Sequence, residues 1–243
     1  MAKKQRKIHT SYRPFFRFVR KIAKAFKKKP KALDLNKSAV EEPAIYISNH
    51  SGASGPLTLS LYIHKFIVPW GTYEMVGNYL ERWKYLYYVF YQQKLGYKKA
   101  KSWILATLFG IISKMLYRGM QLIPTYRDIR FKTTISQSLR FLRKKSSVLI
   151  FPEDSTTGYH EQLLRYNLGF IFLSETYYKE TGIDLPVYPV RYSKQKNMYI
   201  IGEKDYVNKY LLQGKSREEV AEIFKDTTNV LGEMILNNKE PAQ

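Results

Sequence analysis

The chain has 243 residues and a formal net charge of +21, from 41 Lys and Arg against 20 Asp and Glu. That length suits one large domain or a domain with a short arm, and 44% hydrophobic residues are enough for a sizeable core, which excludes a disordered chain. With no cysteine and only four histidines, disulfides, thiolate metal sites and a thiol nucleophile are excluded, while the basic balance calls for an anionic partner such as nucleic acid, a membrane surface or a phosphorylated substrate.

Residues 1–31 hold thirteen Lys and Arg and no acid. Phe15, Phe18, Val19, Ile22, Ala23 and Phe26 fall at helical spacing on one face. Arg17, Arg20, Lys21, Lys24, Lys27 and Lys28 fall largely on the others. This is the pattern of a basic amphipathic helix with aromatic anchors, and it reads as membrane-surface binding. The alternative is a helix whose Phe face docks on the domain. Pro30 and the polar stretch to Pro43 read as a linker, so residues 1–42 are expected to be arm and linker and 43–243 the domain. The arm is not a secretory signal, because its basic residues interleave with aromatics instead of preceding an apolar block.

From residue 44 strands and helices alternate. Ala44–Ser48 reads as a short buried strand entering Asn49-His50, and residues 56–64 as a helix opened by Pro56. Residues 79–97 carry eight aromatic side chains; an interfacial belt and an ordinary aromatic core are equally good readings. Trp103–Ile112 is the longest apolar run. It falls short of the ~18 residues a membrane span needs and reads as a core or interfacial helix. Ile135, Leu139 and Leu142 mark a helix. Val148–Phe151 reads as a strand entering Pro152-Glu153. Leu163–Tyr178 reads as a helix, and Val187–Tyr192 and Met198–Ile201 as strands. Ser216 with Glu219 forms a capping box ahead of a last amphipathic helix. The sum is a single α/β domain, its mostly parallel central sheet flanked by helices, with a basic amphipathic helix in front.

In such a sheet ligands sit at the carboxyl ends of the strands, and three polar motifs follow strands there. His50 opens Ser51-Gly-Ala-Ser-Gly55, a run of small residues that admits a close substrate, and its ordinary pKa suits a general base. On spacing alone a structural histidine is the favoured reading. Phe151-Pro-Glu-Asp-Ser-Thr156 places carboxylates and hydroxyls where they can hold a polyol, or simply cap a helix. Arg127, after Ile123-Pro-Thr-Tyr126, can clamp a phosphate bidentately, although a lone arginine is more often a solvated charge.

Taken together in this order, with Leu185-Pro-Val-Tyr-Pro-Val190 as a fourth motif, the chain resembles the glycerolipid acyltransferase family, which includes 1-acylglycerol-3-phosphate acyltransferases. Asn49-His50 matches the first family motif, Asn-His-x4-Asp. Gly119, Ile123, Pro124 and Arg127 match the second, and Phe151-Pro152-Glu153 the third. The resemblance covers roughly residues 43–205. It implies transfer of a fatty acyl chain from an acyl thioester, carried by CoA or a carrier protein, to a lysophospholipid or glycerol phosphate hydroxyl in phospholipid biosynthesis. It implies His50 as the base, and Asn49, Arg127, Glu153, Asp154, Ser155 and Thr156 as substrate-binding residues. No metal or cofactor is implied. The protein is then expected at the cytoplasmic face of an anionic membrane, without a nucleic-acid partner.

The chain departs from the family pattern at three places: Gly55 stands where the family has the aspartate that orients the histidine, Asp154 where it has glycine, and Thr156 where it has arginine. Glu74, Glu153 and Asp154 are the candidate replacements for the missing acid. Asp154 is the first of them, and Gly55→Asp is expected to compensate for its loss. A non-catalytic lipid-binding paralogue is the alternative function.

Overall fold

Ile45–Ser48 carries no charge and alternates no polarity, as a strand covered on both faces requires, and all four residues are buried. The structure, a computed structural model, describes residues 7–52, 54–63, 65–154, 158 and 160–237. Its strands are β1 (Lys31–Asp34), β2 (Ile45–Ser48), β3 (Ile67–Thr72), β4 (Ile123–Thr125), β5 (Ser147–Ile150), β6 (Pro186–Ser193), β7 (Met198–Ile201) and β8 (Asp205–Tyr206). Its α-helices are α1 (Pro14–Phe26), α2 (Ser54–Tyr62), α3 (Tyr79–Lys84), α4 (Lys99–Met120), α5 (Phe131–Leu142), α6 (Gly169–Thr181), α7 (Val207–Leu212) and α8 (Arg217–Leu236). A 3-10 turn, Tyr73–Val76, leads from β3 towards α3, and a π-helical stretch, Tyr85–Lys94, follows α3 directly.

The strands form one sheet in the order β1-β7-β6-β2-β5-β3-β4, with β8 paired to β6. The β2, β3, β4, β5 and β6 strands run parallel, and β1 is parallel to β7. Only the β6–β7 and β6–β8 pairings are antiparallel. Alternate side chains go to opposite faces. Ile45, Ile47, Val148, Ile150 and Val187 join a core with Leu139, Phe170 and Phe224 from α5, α6 and α8. Tyr46, Leu149, Tyr188 and Val190 join the other core, with Leu59, Leu61 and Tyr62 of α2. This is the single α/β domain with a mostly parallel, helix-flanked sheet that the alternation of elements predicts.

The basic helix is part of that body. Residues 1–6, with three of the thirteen cations, lie outside the described residues. Tyr12 and Phe16 pack with Met120 of α4. Arg20 donates to the carbonyls of Leu61 (2.9 Å) and Ile63 (3.1 Å) at the end of α2, satisfying orphan acceptors of that helix end. The two apolar stripes of α1 therefore divide. Phe16 and Ala23 face the domain, while Phe18, Ile22 and Phe26 face outward, Phe26 at 89% exposure. The expected linker also contains β1, which pairs with β7 from Lys31↔Met198 to Asp34↔Ile201.

Helix α4 leaves part of its apolar surface outside. Its buried residues are the small Ser102, Ala106, Gly110, Ser113 and Gly119, with Met120. Six of its large ones, Trp103, Ile104, Leu108, Ile111, Ile112 and Met115, are each more than half exposed, while Leu105, Phe109, Leu116 and Tyr117 pack partly buried against the domain. In water a helix turns its apolar stripe inward; here close packing uses the small side, at Gly110 against Tyr79 and at Gly119 against Phe16. Among the described residues no helix is long and apolar enough to cross a membrane.

Candidate active site at the carboxyl edge of the sheet

Because β2 and β5 are parallel neighbours, their carboxyl ends open on the same edge. His50 follows the one and Glu153 the other. The His50 backbone N–H donates to Glu153 Oε2 at 2.9 Å, and the ring Nδ1 lies 3.9 Å from the same oxygen. The ring packs tilted on Phe151, centroids 4.9 Å apart. It is about a quarter exposed, whereas the Glu153 carboxylate is 3% exposed.

Each partner is held by its own scaffold. The Asn49 side-chain amide accepts from the Tyr192 N–H (2.9 Å) and donates to the Tyr192 carbonyl (3.0 Å), pinning the end of β2 to β6. Tyr192 also meets Ser54 through its hydroxyl, at 3.1 Å. Each end of the Asn49 amide thus bonds backbone, and the residue is buried. On the other side, residues 152–154 pair antiparallel with 165–167. The Asn167 N–H bonds the Pro152 carbonyl (2.7 Å), the Asp154 N–H bonds the Arg165 carbonyl (3.0 Å), and Glu153 bridges Tyr166. Asn229 of α8 brackets Leu163 through both amide ends. The helix expected from Leu163 therefore starts only at Gly169: residues 163–167 are held extended as the partner of the Glu153 loop.

The carboxylate of Glu153 lies beside the imidazole. Glu74 hydrogen-bonds Thr72 and serves the 3-10 turn. Ser155 and Thr156 lie outside the described residues. Position 55 is glycine for a steric reason. Its N–H bonds the His50 carbonyl (3.1 Å), and a Cβ there would lie 2.1 Å from that oxygen. Ser51 and Gly52, both at positive φ, make the turn that brings position 55 so close.

The electrostatics follow from burial. Desolvation, with the repulsion of Lys94, pushes the His50 pKa down to about 3, so the imidazole is neutral at pH 7. Desolvation raises the Glu153 carboxyl above its usual range, opposed by hydrogen bonds from the His50 and His160 backbones and by the charge of Arg191. Arg191 is itself buried on β6, its pKa lowered by desolvation and supported by Tyr166 and Glu153.

Lys94 is the residue that sequence patterns miss. It ends the π-helical stretch and is half-buried. Burial lowers its pKa, Arg127 lowers it further, and Glu153 raises it. Two cations, Lys94 and Arg127, thus act on one another beside the His50–Glu153 pair. Arg127 is exposed but its loop is stiff: Tyr126 stacks on Tyr73 (5.1 Å), and Arg130 lies over both rings while bonding Asp128. No motif marks Lys94 in an aromatic run; the only local signal is the π-helical winding, which is frequent at functional sites. Among the described residues no group of His, Asp and Glu is arranged to hold a metal.

No protein-family model and no curated protein matches the chain. Among solved structures, the fold is similar to the crystal structure of the 1-acyl-sn-glycerophosphate (LPA) acyltransferase PlsC from Thermotoga maritima. The TM-score is 0.49 and the identity 12%, over 94% of this chain and 81% of that one.

Proposed function

We propose that the protein is an acyltransferase that moves a fatty acyl chain from an acyl thioester to a hydroxyl of a lysophospholipid or glycerol phosphate at a membrane surface. The observation that carries the reading is the neutral imidazole of His50 held over the buried carboxylate of Glu153. The resemblance of the sequence motifs implies a role in the site for both residues.

With Nδ1 turned to Glu153, Nε2 takes the proton of the acceptor hydroxyl as its oxygen attacks the thioester carbonyl. The tetrahedral intermediate collapses by breaking the C–S bond, and the imidazolium returns the proton to the leaving thiolate. No covalent enzyme intermediate is needed. Glu153 is a positioning residue here. It fixes the His50 loop through the backbone N–H and, as a carboxylate, stabilises the imidazolium while it exists. Its low exposure leaves it little room to hold a glycerol, the role the family resemblance implies for it. Lys94 and Arg127 take the acceptor's phosphate, Arg127 as a planar fork and Lys94 as a point charge.

The docking surface is the outward face of α1 and α4. Phe18, Ile22 and Phe26 on the one, and Ile104, Leu108, Ile111 and Met115 on the other, are apolar and exposed. No acid occurs between Arg82 and Arg127, a stretch with nine Lys and Arg. Apolar insertion with a basic rim fits an anionic leaflet, where an amphiphilic acceptor resides.

The test is transfer of labelled acyl chain from CoA and from acyl-carrier protein to a panel of lysolipids in anionic vesicles, with His50→Ala beside the natural chain. Product from the natural chain and none from the variant supports transfer by His50. Lipid binding with no product from either protein overturns it in favour of the non-catalytic lipid-binding reading.

A further inference from the structure

Away from His50, the start of α1 meets the end of α4. The Arg13 N–H bonds the Gly119 carbonyl at 3.0 Å. Two clefts open at this joint. One, of about 420 Å³, is lined by Arg13, Arg118, Val76, Pro124 and Gln137. The other, of about 300 Å³, is lined by His9, Ser11, Tyr12, Arg13, Pro14 and Arg17. Arg13 belongs to both. No carboxylate lines either.

Arg13 and Arg82 each carry a buried nitrogen that lacks an acceptor. The Nε of Arg13 is buried without a hydrogen-bond acceptor, and so is the Nε of Arg82, a residue 3% exposed. Arg82 spends its other nitrogens on the carbonyls of Gly77 and Gly110, beside Val76 of the cleft wall. Neither Arg13 nor Arg82 stands in an ion pair. Arg82 and Arg118 repel one another. A desolvated cation is costly unless an anion meets it; Glu81 acts on Arg82, but no carboxylate lines the cleft at Arg13.

We propose that the cleft between Arg13 and Arg118 binds a phosphate group, as a second anion site distinct from the one beside His50. Guanidinium forks match phosphate oxygens bidentately, Gln137 adds an amide donor, and the volume is that of a small-molecule site. The cleft sits at the rim of the apolar face. Phe18 follows Arg17 directly, and Met115 lies one turn before Arg118. A phospholipid head group whose tails lie along α1 and α4 would therefore present its phosphate here; a soluble phosphate ester offers the same chemistry.

The test uses the full chain. Thermal unfolding is followed against inorganic phosphate and glycerol phosphate at constant ionic strength, and sedimentation against phosphatidylcholine vesicles with and without phosphatidic acid. Saturable stabilisation by the soluble ligands identifies a free phosphate ester. A response to phosphatidic acid vesicles alone identifies a lipid head group. Either result requires that Arg13→Gln with Arg118→Gln weaken the response by about tenfold or more, an amount that corresponds to about 1.4 kcal/mol, while Lys21→Gln with Lys28→Gln, an equal loss of charge on exposed residues, weakens it less. Arg118→Lys, which keeps the charge and loses the fork, should fall between and covers the case in which the double variant does not fold. No response to any ligand, or equal losses in the two double variants, overturns the site.

Discussion

Placing an aspartate at position 55, as in the family that the sequence resembles, should harm this protein. The Cβ of any residue there would lie 2.1 Å from the His50 carbonyl oxygen, 2.9 Å from its carbon and 3.0 Å from the Asn49 oxygen. These are backbone atoms, and no rotamer relieves the contact. Reaching even a 3.0 Å separation moves position 55 and His50 apart by about 0.9 Å. His50 is held by Glu153 and the preceding residue by Tyr192, so the movement strains both attachments. Overpacking of this kind costs typically ~1–3 kcal/mol, which for a chain of this size lowers Tm by roughly 2–12 °C. A displacement near 1 Å at a catalytic group costs about 10²-fold in rate. Gly55→Asp is therefore expected to lower Tm and to reduce transfer about 100-fold, and Gly55→Ala to do nearly the same, because the Cβ causes the clash and not the charge. Thermal unfolding and steady-state transfer to a lysolipid are measured on both variants. An active, stable Gly55→Asp would refute the steric account and return the missing aspartate to its simpler meaning as a lost orienter.

Glu153→Gln keeps an oxygen for the His50 N–H but removes the charge beside the imidazole; transfer should fall by about 10²-fold or more while Tm shifts little, and equal activity would remove Glu153 from the chemistry. Because burial holds His50 well below its ordinary value, the ring resists protonation, so kcat/KM on a phosphodiester lysolipid should persist as pH falls through 6.5; an acid limb at or above 6.5 contradicts the buried, neutral base. Phe16→Ala should cost about 3–5 kcal/mol by denaturant titration, whereas Phe18→Ala and Phe26→Ala should stay within about 0.5 kcal/mol and instead weaken vesicle sedimentation. The reverse pattern would mean that the outward stripe is the packed one.

The strands beneath the site are legible because they are buried on both faces: Ile45–Ser48, Ser147–Ile150 and Met198–Ile201 are short apolar runs, and such runs need no partner to be recognised. β1 is not legible. Lys-Ala-Leu-Asp is a mostly exposed edge strand, and what makes it a strand is a partner far away in sequence. Leu163–Leu168 carries good helix formers, but the Asn229 bracket and the Glu153 loop override local preference. The α1 spacing shows a Phe-rich face without showing that Phe16, one position off the chosen stripe, is the buried anchor. His50 and Glu153 are legible as strand-end residues, and their union follows from parallel pairing. That the Glu153 carboxylate lies beside the ring depends on how its loop is held, which the motif alone does not show. Lys94 reaches the site through a π-helical turn that no residue pattern announces.

The pairing of β1 with β7 sets an order of events during synthesis. Lys31 meets Met198, 167 positions later in the chain, and at ~5–20 residues per second the ribosome needs roughly 10–30 s to make that partner. Arg13 and Phe16 wait for Gly119 in the same way. Throughout that interval the basic helix lacks the body on which Phe16 and Arg20 are held. The β1 edge of the sheet can therefore close only after the strands at its centre have all been made.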